Sequence, residues 1–163
     1  MIHYIKGDAT VPVVKSGVRV IAHIVNNEGK WGKGFVRAIS ARWKEPEDYY
    51  LKQSKWAKKS FKLGEIQWVF VDVDLAVCNM IAQRGVRSFV NTQPVCYDHL
   101  ESCLEKMAEG ARHTAEVSGK SKSLSIHMPR IGCGLGGGDW GEVGELVEET
   151  CWDLEVYVYD MEK

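Results

Sequence analysis

The sequence predicts an α/β domain with a largely parallel sheet covered by helices on both faces. Three observations carry this. Short β-branched segments alternate with helical stretches along the chain. One segment, "VRVIAHIV" (18–25), is apolar nearly throughout, as expected of a strand buried on both sides. Finally, two glycine-rich turns each stand between a strand and a helix. With 163 residues, 45% of them apolar, the chain is read as one domain able to bury about 70% of its unfolded surface.

The elements follow in order. "MIHYI" and "VRVIAHIV" are short, β-branched and bounded by turn residues. "VRAISARW" is helical, and "EPEDYYLKQSKWAKKSF" opens with acids and Pro46 and closes with lysines, matching a helix dipole at both ends. "GEIQWVFVDVDLAVCNMIAQ" reads as two strands joined near Asp72 to Asp74. From Pro94 onward, Tyr97, Leu100, Leu104, Met107, Ala108, Ala111 and Ala115 form a helical stripe. "GKSKS" is a solvated loop, "LSIHM" a strand, "DWGEVGELVEETC" a helix and "LEVYVYD" a closing strand.

Composition excludes several classes. A formal charge of -1 is no polyelectrolyte signature, although a local basic patch stays open. Five cysteines, with no CxxC pair and no His cluster beside them, argue against a disulfide framework and a structural zinc site. "MIHYIKGD" reaches charge too soon for a signal peptide, and no apolar run approaches the roughly 20 residues of a membrane span. The expectation is a soluble, cytoplasmic protein with reduced thiols, no metal and no cofactor.

The glycine turns are the informative feature. "HMPRIGCGLGGGDW" (127–140) places five glycines in seven positions after a strand, and "NNEGKWGKGF" (26–35) repeats the layout after "VRVIAHIV". In an open α/β sheet both lie at the carboxyl ends of strands, where ligands bind. Glycines let backbone N–H groups approach an anion, and the following helix dipole favours negative charge. Neither loop has the GxxxxGK[ST] or GxGxxG spacing, and each read alone is equally a tight connection. Together, and with Lys30 and Lys33, they predict a phosphate-bearing ligand.

"YIKGDAT", "IAHIVNNEGKWGKGF", "HMPRIGCGL" and the terminal "VYVYD" stand in the order and spacing of a macro domain, and the resemblance spans nearly the whole chain. The chain resembles the branch containing ADP-ribose 1″-phosphate phosphatases and terminal ADP-ribose protein glycohydrolases. The resemblance implies a three-layer α/β/α fold binding ADP-ribose in a cleft above the sheet. It also assigns roles. Asp8, otherwise a turn or capping aspartate, would accept from the adenine amino group, with the Ala9 N–H alongside. Asn26 would meet the distal ribose, the alternative being an Asn-Asn turn. His23 matches a histidine of the phosphatase-like relatives, or is a core residue in an apolar strand. Gly32, Lys33 and Gly34 would form the first phosphate loop, with Trp31 over the distal ribose or serving as a structural aromatic. Ile131, Gly132, Cys133, Gly134 and Leu135 would wrap the diphosphate, with Gly134 the place where positive φ could be required. Cys133 is no nucleophile, because glycines flank it and no base stands near it in sequence. Tyr159 would face adenine or pack in the core.

The departures bear on mechanism. Glycohydrolases of this branch use a lysine at the end of the strand "VCNMIAQ" and an aspartate just after "GCGL"; this chain has Gln83 and Gly136 there. Arg84 and Asp139 are the nearest polar substitutes, Asp139 also being a natural helix N-cap. The expected activity is hydrolysis of ADP-ribose esters on protein or nucleic acid, or of ADP-ribose 1″-phosphate. A water positioned by Asn26, His23 or the ligand's own diphosphate would attack, with the loop amides stabilising charge. Gln83 and Arg84 would contact the distal ribose or the leaving group, and Gln83 and Asp139 are the further catalytic candidates. The expected partner is ADP-ribose or an ADP-ribosylated macromolecule, with the protein itself a monomer. The rival is a non-catalytic ADP-ribose reader. A nucleic-acid module built on Lys52, Lys55, Lys58, Lys59 and Lys62 is a third reading, against which such a lysine run is usually a solvated face.

Overall fold

The chain alternates strand and helix in the predicted order: β1 (Ile2–Lys6), β2 (Val18–Asn26), α1 (Phe35–Arg42), α2 (Glu45–Ala57), β3 (Ile66–Asp72), β4 (Leu75–Gln83), α3 (Tyr97–Val117), β5 (Leu124–Pro129), α4 (Trp140–Thr150) and β6 (Glu155–Asp160). The computed structural model describes residues 1–57, 61–119 and 123–161. Lys58 and Lys59 of the lysine run and most of "GKSKS" lie outside the described residues.

The six strands form one sheet in the order β1-β6-β5-β2-β4-β3. Every pairing is parallel except β3–β4, an antiparallel hairpin turning at Asp74 (φ 58°). Asp72 to Asp74 is therefore the turn that the sequence suggested.

Period-2 alternation divides the apolar residues between two faces. Val20 and Ala22 of β2 join Cys78 and Met80 of β4 under α3 and α4, where Leu100, Leu104, Met107 and Val143 are buried. Ile21 and Val77 face the other way onto Ile39 of α1, and Val25 and Ile81 pack on Val36 and on Tyr50 of α2. The result is a three-layer α/β/α fold, as predicted. Truncating a fully buried side chain such as Leu104 to alanine would cost about 2–5 kcal/mol. All five cysteines are free thiols. Among the described residues no helix is long and apolar enough to cross a membrane.

Candidate functional site

The parallel strands deliver their following loops to one edge of the sheet. Along that edge stand the turn after β1 (Gly7, Asp8), the loop after β5 (130–138), the loop after β2 (26–34) and the loop after β4 (84–93). From β1 to β4 is four strand spacings, roughly 19 Å.

The loop after β2 is organised by Asn26. Its Nδ2 donates to Lys30 O at 2.5 Å, and its Oδ1 accepts from the N–H groups of Glu28 (2.9 Å) and Lys30 (3.3 Å) and from the Tyr50 hydroxyl (2.9 Å). The buried amide thus shapes the turn, and its second Nδ2 hydrogen makes no hydrogen bond among the described residues. Trp31 is half-buried, donates its Nε1–H to Ser40 Oγ at 2.7 Å and leans on Tyr50. Gly32 and Gly34 take positive φ, and Gly34 caps α1 without a side-chain bond. Lys33 is exposed.

The loop after β5 answers most of the glycine question by its own packing. Gly138 N–H donates to Gly132 O at 2.7 Å, folding the loop back on itself. A Cβ on Gly136 or Gly138 would meet Gly132 O at 2.7 or 2.8 Å, and one on Gly137 would meet Thr92 O at 2.3 Å. Gly132 and Gly137 take positive φ. Gly134 does not, which corrects the expectation placed on it. It is the one glycine of this loop whose added Cβ would meet nothing within 4 Å. Ile131 is buried beneath the loop and Leu135 is exposed above it. The Cys133 thiol is pushed up to about 11 by burial and by Asp139, so it stands as a neutral thiol beside Ile131 O.

Three other residues are turned into the interior, which for His23 and Tyr159 is the core-packing alternative of the sequence reading. His23 is 1% exposed. Its Nε2 donates to Asn79 Oδ1 at 2.5 Å, because the Asn79 amide nitrogen is itself donating to Gln67 and Pro46. Trp31 and Phe35 lie edge-on over the imidazole. Burial holds its pKa down to about 4, and its buried Nδ1 has no hydrogen-bond partner among the described residues. Tyr159 is 2% exposed, lies under Gly7, accepts the Val13 N–H at 2.9 Å and pairs with His127 Nδ1 at 2.7 Å. It anchors the β1–β2 connection rather than offering a ring to adenine. Ala9 is 1% exposed, which puts its N–H below the surface. Asp8 forms an Asx turn, its Oδ1 accepting from Thr10 N–H (2.8 Å) and Thr10 Oγ1 (2.7 Å), and its Oδ2 lies 4.0 Å from Arg42.

The expected catalytic places are also occupied differently. Gln83 is half-buried, and its Nε2 donates to Gly85 O at 3.1 Å. Asp139 caps α4 by accepting Glu142 N–H at 3.3 Å. Arg84, by contrast, lines a pocket of about 360 Å³ with Glu28, Lys30, Gly85 and Asn91. Sequence reading singled out Arg84 but gave no role to Glu28 or to the rest of the loop 84–93. The available signal was two arginines, Arg84 and Arg87, between a strand end and a helix start. Arg87 reaches across to Gly134 O at 3.4 Å, so the loops after β4 and β5 touch.

Fold and loops together define a three-layer protein with glycine-rich loops gathered at the carboxyl edge of a mixed sheet. A macrodomain protein of Streptomyces coelicolor is 40% identical, superimposes with a TM-score of 0.79 and is matched over 98% of this chain and 99% of that one. The chain belongs to the macro-domain family. A Bacteroides thetaiotaomicron protein of unknown function is 43% identical with a TM-score of 0.85, over 98% of both chains. In sequence, an ADP-ribose 1″-phosphate phosphatase of Scheffersomyces stipitis is 27% identical over 97% of this chain and 99% of its own length. No family profile matches the chain.

Proposed function

We propose that this protein binds ADP-ribose along the strand-end cleft and hydrolyses ADP-ribose derivatives. The observation that carries the reading is a set of unpaired donors on two loops that meet at Gly34 and Leu135. Among the described residues, the N–H groups of Lys33 and Gly34 and those of Gly134 and Leu135 donate to no protein group, and all four residues are exposed. Such donors at the start of α1 and beside an open Gly134 suit a diphosphate. In this reading Asp8 Oδ2 takes the adenine end and the pocket beside Arg84 takes the terminal ribose. The phosphatase named above supports turnover; that name belongs to the relative.

The substrates are ester-linked ADP-ribose on a macromolecule or ADP-ribose 1″-phosphate. A reader without turnover is the second reading, favoured by Gln83 and Gly136 in the lysine and aspartate places. Calorimetry with ADP-ribose should give a dissociation constant on the order of micromolar, near -8 kcal/mol, with ADP weaker. No heat and no thermal shift at millimolar ADP-ribose would remove the binding reading. Binding without product from either substrate would leave the reader.

A further inference from the structure

We propose that Glu28 is the general base of this site, a role that rests on the proposed hydrolase reading. Of the carboxylates and imidazoles considered from sequence, none is available. His23 is buried behind two aromatic rings, Asp139 caps a helix, and position 136 has no room for a side chain. Among the described residues Glu28 is the one carboxylate lining the pocket at the β2–β4 end of the cleft. It sits where the sheet order puts the terminal ribose once adenine is at Asp8 and the diphosphate is between the glycine loops.

Its placement is built rather than incidental. The Glu28 N–H is fixed to Asn26 Oδ1, and its carboxylate is held 3.0 Å from Lys30 Nζ. The carboxylate lies against Gly85, where an added Cβ would come within 3.0 Å of Oε1. Gly85 is in turn held by its N–H to Asn27 Oδ1 at 2.9 Å. The bare face of Gly85 is the seat of the carboxylate, and the Glu28 side chain, which lines the pocket, remains 41% exposed.

The step balances without a cofactor. Glu28 takes a proton from water as the water oxygen bonds to the anomeric carbon. The bond from that carbon to the ester oxygen breaks, and its electron pair leaves with the carboxylate of the modified acceptor. Glu28 then releases the proton to solvent. Lys30 and Arg84, which line the same pocket, supply positive charge for the departing anion.

The test compares wild type, Glu28→Gln and Glu28→Asp on a peptide carrying ADP-ribose through a glutamate ester, alongside calorimetry with free ADP-ribose. General-base loss should lower kcat by about 100-fold or more in E28Q, because such catalysis contributes about 10²–10⁴. The dissociation constant for ADP-ribose should change by less than about threefold, and E28D should retain an intermediate rate. E28Q turning over at the wild-type rate overturns the role of Glu28 and leaves the hydrolase reading intact. E28Q losing binding as well makes Glu28 a ligand contact and also overturns it. A wild type that binds but releases nothing overturns the base together with the hydrolase reading.

Discussion

Leu135 lies over Gly34: a Cβ on Gly34 would come 3.8 Å from Leu135 Cδ1. The glycine loops after β2 and β5, about 100 residues apart in sequence, therefore meet across the cleft. In the proposed reading their exposed N–H groups therefore serve one ligand rather than two.

Gly134→Val tests that meeting place. Its Cβ would enter open space and its φ is ordinary, so the protein itself does not require glycine there. ADP-ribose affinity should fall at least tenfold while the thermal midpoint stays within a few degrees. Unchanged affinity would show that no ligand approaches this backbone.

Gly136→Asp restores the residue type that the glycohydrolases of this branch carry. Here its Cβ would stand 2.7 Å from Gly132 O. Overpacking of this kind costs about 1–3 kcal/mol. Denaturant unfolding should show a loss in that range and assays no gain in turnover. A stable, faster variant would mean that the loop opens readily.

Acid should destabilise the fold. Burial holds His23 down to about 4 from 6.5, and holds His127, with help from the charges of Arg19 and Lys15, to about 3. The unfolded chain binds protons near 6.5 while the native one does not, so stability is full above that pH and falls as pH drops toward 4 and below. His23 alone corresponds to about 3 kcal/mol. Thermal midpoints should decline from pH 7 to pH 4.5, and His23→Gln should flatten part of the slope. A midpoint constant over that range would contradict the buried, neutral imidazole.

No lysine adduct is expected. Gln83 has only an amide nitrogen, and Lys30 is paired with Glu28 at 3.0 Å. An ammonium beside a diphosphate stays protonated and does not attack a carbonyl. Borohydride treatment with substrate should leave the mass of the protein unchanged. An adduct mapping to Lys33 would establish a covalent route.

The order of strands and helices, the mixed sheet and the two glycine loops were legible in the sequence, because period-2 and helical spacing report which side of an element is buried. Sequence also marked Gln83 and Gly136 as departures, since residue type alone decides whether an amine or a carboxylate can be present. In a strand buried on both faces, spacing could not say which residues reach a ligand and which are sealed in the core. Tertiary structure turned His23 and Tyr159 into the interior, where desolvation keeps them neutral and occupied by Asn79 and His127. It also decided what each glycine is for, since a contact such as Gly137 with Thr92 joins segments 45 residues apart. Glu28 reads as an ordinary loop acid until β2 and β4 lie side by side and the bare face of Gly85 gives its carboxylate a place to rest.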